Sequence, residues 1–179
     1  MKKFLLSLIS AFLLTSNVQA SDPENTLVMQ LKDGKVLIEM YPDIAPNHVA
    51  RIKTLTHEGF YNGLKFHRVI DGFMAQTGDP NGTGTGGSGK KIKAEFNNMH
   101  HGRGTVSMAR AQDPDSADSQ FFICFDEAGF LDGKYTAWGK VIEGMEFVDN
   151  IKRGDEAQNG MVYNPDTIIS MSVLADVQK

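Results

Sequence analysis

Cysteine is all but missing from this sequence: Cys124 is the single one in 179 residues. One thiol forms neither an internal disulfide nor a cysteine-rich zinc site, so a packed core must hold the fold. There is one tryptophan and only 6 prolines, which excludes collagen-like and proline-rich extended chains. No long basic block occurs and the net charge is −4, which argues against nucleic acid and anionic membranes as partners. With 41% hydrophobic and 22% charged residues, intrinsic disorder and a coiled coil are also excluded. What is present is the composition of one globular domain, enriched in glycine (18 residues).

The start of the chain reads as a leader. Met1-Lys2-Lys3 is basic, Phe4 to Leu14 is apolar except for Ser7 and Ser10, and Val18-Gln19-Ala20 offers small residues at a cleavage site. This is the pattern of a secretory signal peptide over residues 1–20. The apolar run falls short of the roughly 20 residues that span a bilayer, so no stable membrane insertion is expected. The twin-lysine start points to a bacterial periplasm, with residues 21–179 as a single domain. In that compartment a lone thiol should be buried, and Phe121-Phe122-Ile123-Cys124-Phe125 supplies an apolar setting.

Past the leader, period-two segments predict strands at 26–31, 36–41, 66–70, 73–77, 105–109, 120–125, 136–142 and 168–174. Asp33-Gly34 predicts a hairpin that uses positive φ. Pro46 opens a helix in which Val49, Ile52 and Leu55 share a face and Gly59 is the stop. Met145, Val148 and Ile151 mark a second helix ending near Gly154. Strands with two isolated helices do not alternate as a doubly wound sheet requires, so an antiparallel barrel or sandwich is expected.

Several motifs fail on context. Gly82-Thr83-Gly84-Thr85-Gly86-Gly87 has dinucleotide-binding spacing, and Gly84 to Lys90 approaches a P-loop. Both need a following helix N-terminus, and Lys91-Ile92-Lys93 carries no cap and stands where magnesium needs a hydroxyl. An ordered loop beside a site is the better reading. His100 and His101 are adjacent and should diverge, and Asp113, Asp115 and Asp118 lack calcium-loop spacing and read as a solvated acidic loop. No nucleophile elbow is present, and Cys124 has no evident base. Neither metal nor cofactor is expected.

What remains lies on strands. Alternation places Phe66, Arg68 and Ile70 on one face, Met74 and Gln76 on another, and Gln120 with Phe122 on a third, leaving Phe121, Ile123 and Phe125 for the core. Phe66-His67-Arg68-Val69-Ile70, Gly72-Phe73-Met74-Ala75-Gln76-Thr77-Gly78-Asp79, Ser119-Gln120-Phe121-Phe122-Ile123-Cys124 and Leu131-Asp132-Gly133-Lys134 together resemble the cyclophilins, peptidyl-prolyl cis-trans isomerases, in family order and of the secreted bacterial kind.

The resemblance implies a mainly β fold, a closed eight-stranded antiparallel β-barrel capped by two α-helices, with the active groove on its outer face. It implies Arg68 as the catalytic residue with Gln76 beside it. Phe73, Met74, Phe122, Phe130, Leu131 and Tyr135 become walls of a proline pocket, Gln120 a polar guide, and Ala109, Arg110 and Ala111 a rail for the peptide. Phe130, Tyr135 and Arg110 replace the Trp, His and Asn of many relatives, and Phe130, without an indole N–H to donate, weighs against strong cyclosporin binding. Expected partners are proline-containing polypeptides, unfolded or folding, met by a monomer. A holdase or proline-peptide binding module using the same groove is the alternative; the presence of Arg68 favours the enzyme, since a pure binder could dispense with the arginine.

Overall fold

The computed structural model describes residues 22–178, so the leader expected over residues 1–20 lies outside the described residues. Eight strands run β1 (Thr26–Gln30), β2 (Lys35–Met40), β3 (Arg68–Ile70), β4 (Met74–Thr77), β5 (Thr105–Met108), β6 (Phe121–Cys124), β7 (Ala137–Glu143) and β8 (Ser170–Val173). Helix α1 (Pro46–His57) follows β2, while the short α2 (Met145–Asp149) and α3 (Leu174–Val177) follow β7 and β8. All pairings are antiparallel, in the order β3-β4-β6-β5-β7-β2-β1-β8.

The closed barrel expected from the sequence is not formed. The sheet is an open half-barrel with β3 and β8 as its ends, and no ladder joins them. The physical reason is at β3, which is three residues long and has its outer edge already occupied. Residues 154–162 lie along that edge: Val69 N–H donates to Gly160 O (2.8 Å), Gly154 N–H to Val69 O (2.9 Å) and Val162 N–H to His67 O (3.1 Å). The two ends meet ahead of the strands, through the bridge Lys65–Thr167 and the bond from Gly63 N–H to Ile168 O at 2.6 Å. An edge covered by a loop is protected from further pairing as well as one closed into a barrel.

Helix α1 is amphipathic because His48, Val49, Ile52, Leu55 and Thr56 fall on one buried face. Its N-cap, Ala45, offers no side-chain acceptor. Glu95 supplies one from a distant loop, accepting from Asn47 N–H and His48 N–H (3.0 Å each) and from His48 Nδ1 (2.6 Å). Gly59, at φ 68°, ends the helix where the sequence predicted. Met145 opens α2 as expected, but α2 stops at Asp149 and Ile151 is buried beyond it.

Asp33-Gly34 does join β1 to β2, yet Gly34 does not use positive φ. Glycine is needed there for room, because a Cβ would lie 2.4 Å from the Phe147 ring. Inside the sheet, Tyr61, Phe121 and Trp138 pack edge to face at 5.4 and 5.6 Å. Phe66 joins this core instead of the Arg68 face, since it precedes β3 and is not bound by strand alternation. Cys124 is buried, on the opposite side of the sheet.

Candidate active site

A second apolar cluster lies on the outer face of the sheet: Met74, Phe122, Cys124, Ala128 and Leu131, with Ile70, Phe73, Ala109 and Tyr135 against it. Strand register assembles it. Arg68 pairs with Gln76 across β3 and β4, Gln76 with Phe122 across β4 and β6, and Phe122 with Ser107 across β6 and β5. Directly opposed residues share a face, so a cation, an amide and an aromatic stand abreast.

The polar members form one chain. Arg68 Nη1 donates to Gln76 Oε1 (3.2 Å), Gln76 Nε2 to Gln120 Oε1 (2.9 Å), and Gln120 Nε2 to Gly86 O (2.8 Å). On its other side Arg68 Nε donates to Asn159 O and Nη2 to Asn159 Oδ1, both at 3.0 Å. Asn159 sits in the left-handed region (φ 54°, ψ 35°) at the end of the loop that covers β3. Of five guanidinium N–H groups these bonds use three, leaving one on each terminal nitrogen. Nη1 also lies 4.0 Å from Met74 Sδ. Arg68 is half-buried, and burial lowers its pKa from the ordinary arginine value. From so high a starting point it stays cationic at neutral pH.

Arg68 and Gln76 border a cavity of about 280 Å³ with Phe73, Met74, Ala109, Arg110, Phe122, Phe130, Leu131 and Tyr135. Phe122, Leu131 and Met74 are buried, whereas Phe130 is 63% exposed and leans on Phe73 at 5.3 Å. Tyr135 meets Phe122 edge to face at 6.0 Å. Arg110 lies over the Tyr135 ring at 4.5 Å, with its guanidinium turned to the carbonyls of Lys134, Ala111 and Gln112. A second cavity of about 440 Å³ adjoins the first and holds Ala111, Gln120 and the glycine loop at 84–87. The two share Gln76, Ala109 and Arg110. Every residue that the resemblance assigned to the site therefore lines one of two neighbouring hollows.

His100 and His101 do not diverge; both reach Asp132, from Nδ1 at 2.6 and 2.8 Å. Asp132 is held well below the usual carboxylate range, first by His100 and then by the His101 N–H, and His100 is raised in return by Asp132 and Glu127. His101 Nε2 meets Ser107 Oγ at 2.9 Å, completing a Ser-His-Asp spacing. Ser107 and His101 are buried at 0% and 1% exposure, so this triad has no route to a substrate and braces Phe122, which stacks on His101. The acidic loop is not simply solvated either. Asp118 accepts from Ser88 and Gly89 N–H, and Asp115 from Ala94 N–H.

Comparison with known proteins decides the family. Residues 26–173 match the family model for cyclophilin type peptidyl-prolyl cis-trans isomerases. The chain belongs to the cyclophilin family. A probable peptidyl-prolyl cis-trans isomerase of Brucella suis is 54% identical over 171 residues, covering 89% of this chain and 87% of that one. Peptidyl-prolyl cis-trans isomerase B of Bacillus subtilis is 50% identical over 128 residues, 70% of this chain and 89% of that one. Among solved structures, a Hirschia baltica cyclophilin aligns with TM-score 0.78 and 32% identity over 87% of this chain and 76% of that one. A Cryptosporidium parvum cyclophilin, determined in the presence of the dipeptide Ala-Pro, aligns with TM-score 0.76 and 29% identity, covering 83% of this chain and 98% of that one.

In this cyclophilin, one residue of the site escaped sequence reasoning. Asn159 supplies two of the three acceptors that hold Arg68, and its only linear signal is Asn159-Gly160, a pair that any tight turn uses.

Proposed function

We propose that this isomerase accelerates rotation about X–Pro bonds of secreted proteins folding in the periplasm, without covalent chemistry, through Arg68. The observation that carries the reading is a half-buried guanidinium fixed on Gln76 and Asn159 at the rim of an apolar pocket. The Ala-Pro dipeptide named with the Cryptosporidium parvum relative supports a proline as the occupant. At about 280 Å³ the pocket is near the small end of ligand sites, the scale of one residue rather than of a large cofactor. The leader pattern of residues 1–20 supports the compartment.

Rotation of a prolyl amide faces a barrier near ~20 kcal/mol and takes roughly 10–100 s unaided. At 90° of twist, resonance is lost and the proline nitrogen regains a localised lone pair. An N–H of Arg68 aimed at that nitrogen binds the twisted form and has nothing to bind in either planar form, which is the condition for catalysis. Phe122, Met74, Leu131 and Phe73 grip the ring while the preceding residue turns. They also dry the amide, and because the planar form is the more polar, drying favours the twist. An acceleration of ~10⁵ requires about 7 kcal/mol, within reach of one charged hydrogen bond with desolvation and orientation. No group must gain or lose a proton, so the rate of the folded enzyme should be nearly flat from about pH 6 to 9.

Exchange NMR on a short Ala-Pro peptide tests this. The wild type should give fast cis–trans exchange that collapses by about two decades in Arg68→Ala, roughly the loss seen when an oxyanion donor is removed. Exchange at the buffer rate from folded wild-type protein would overturn the reading and leave a binding groove.

A further inference from the structure

A third hollow, of about 410 Å³, lies between α1 and the 90–93 segment. Its lining is basic: Arg51 from the helix and Lys90, Lys91 and Lys93 from the loop, with Asn47 and Thr54 beside them. On a chain of net charge −4 this concentration of cations is a local reversal. In the linear sequence it is only a short run, because Arg51 arrives from another element.

Among the described residues none of the four cations has an ion-pair partner. The nearby carboxylates are already engaged: Asp118 accepts from Ser88 N–H and Oγ and from Gly89 N–H, Asp115 from Ala94 N–H, and Glu95 from the start of α1. Arg51 Nη2 donates to the Ser88 hydroxyl, which in turn donates to Asp118, while its Nε is buried without a partner. The loop backbone is fixed, since Ile92 bridges to Ala117 and its N–H donates to Ala117 O at 2.8 Å.

Lys91 lines both the second hollow and this basic one, and the second hollow shares Gln76, Ala109 and Arg110 with the proline pocket. The first two hollows adjoin through three shared residues, and the basic one meets the second at Lys91. We infer that the basic cleft is an extension of the substrate groove that selects proline-containing polypeptides carrying a cluster of acidic residues a few positions from the proline. The inference rests on the isomerase reading and adds a client preference to it. Single-stranded nucleic acid fits less well, because no aromatic lines the cleft for bases to stack on. A lipid surface would want apolar side chains to insert, and Ile92, half-buried, is the only large one.

The test compares Ala-Pro peptides bearing a Glu-Glu-Glu block before or after the proline with their Gln-Gln-Gln counterparts. At low ionic strength one Glu peptide should be turned over with about three- to tenfold higher kcat/KM than its Gln partner, and the advantage should vanish near ~0.5 M salt. The Lys90→Gln, Lys93→Gln double variant, both exposed positions, should lose that advantage while handling the Gln peptides like wild type. Amide shifts of residues 50–54 and 90–93 should follow titration with the favoured Glu peptide. Equal kcat/KM for all peptides, or shifts at 90–93 produced by an oligonucleotide or anionic vesicles but not by a Glu peptide, would overturn the inference. If no peptide is turned over but a Glu peptide still moves these amides, the isomerase reading fails and the acidic-peptide cleft stands.

Discussion

Replacing Asn159 by glycine isolates the contact that aims Arg68. Asn159 holds φ 54°, ψ 35°, a conformation glycine adopts without strain, so the loop and its carbonyl acceptor for Arg68 Nε should stay in place. Only the Nη2 to Oδ1 bond of 3.0 Å is removed. A hydrogen bond to a charged group is worth roughly 1.5–3 kcal/mol, and exposure at this edge lowers that to about 1 kcal/mol. If that energy holds the guanidinium toward the pocket, kcat for an Ala-Pro peptide falls about fivefold. KM should not move, since no pocket wall is touched. Exchange NMR for the rate, with a thermal melt to show the fold intact, measures both. An unchanged kcat in a folded Asn159→Gly variant, or a change confined to KM, would refute the idea that Asn159 positions Arg68.

Glu95→Gln should weaken the cap of α1 and lower stability by about 1–2 kcal/mol, read as a shift in urea midpoint, with peptide turnover retained in the folded fraction. Stability should also decline as pH falls below about 6.5, because burial lowers the pKa of His48 and of His67, and the unfolded chain then takes up protons first. His100 works in the opposite sense: its pKa is raised, so its contribution is complete below that pH and fades as pH rises through the raised value. Urea unfolding should therefore show a shallower loss below about pH 6.5 in His67→Gln, while in His100→Gln the gain on acidifying towards pH 6.5 from above should disappear; slopes identical to wild type would contradict both assignments. Cys124, buried and pushed up to about 12, should resist thiol reagents in the folded protein and react only on unfolding.

Linear patterns sufficed where the physics is local. Alternation located each of the eight strands to within two residues at either end; most came out too long, because a strand stops where its partner's hydrogen bonds stop, while β2 starts and β7 ends one residue beyond the expected bounds. Pro46 and Gly59 bounded α1 through backbone preferences carried by those residues alone. For the site, residue type and segment order were enough to name the lining of the proline pocket and part of the second hollow, since cyclophilin segments are long and specific; Lys91, Ser116 and Asp118 of the second hollow were not among them.

Tertiary structure decided what depends on which chain lies beside which. Nothing in Arg68-Val69-Ile70 shows that residues 154–162 take its outer edge, leaving the half-barrel open and placing Asn159 on the guanidinium. The same holds for Asp132, where the intervening backbone turns two adjacent histidines to one carboxylate, and for Arg51, which meets the lysines only after α1 docks. By itself the sequence determined the element types, the core alternation and the chemistry on offer, because these follow from side-chain identity and local dihedral preference. Closure of the sheet, the aim of the arginine and the gathering of charge followed from long-range contacts, whose free energy is summed over the whole fold and is written in no single segment.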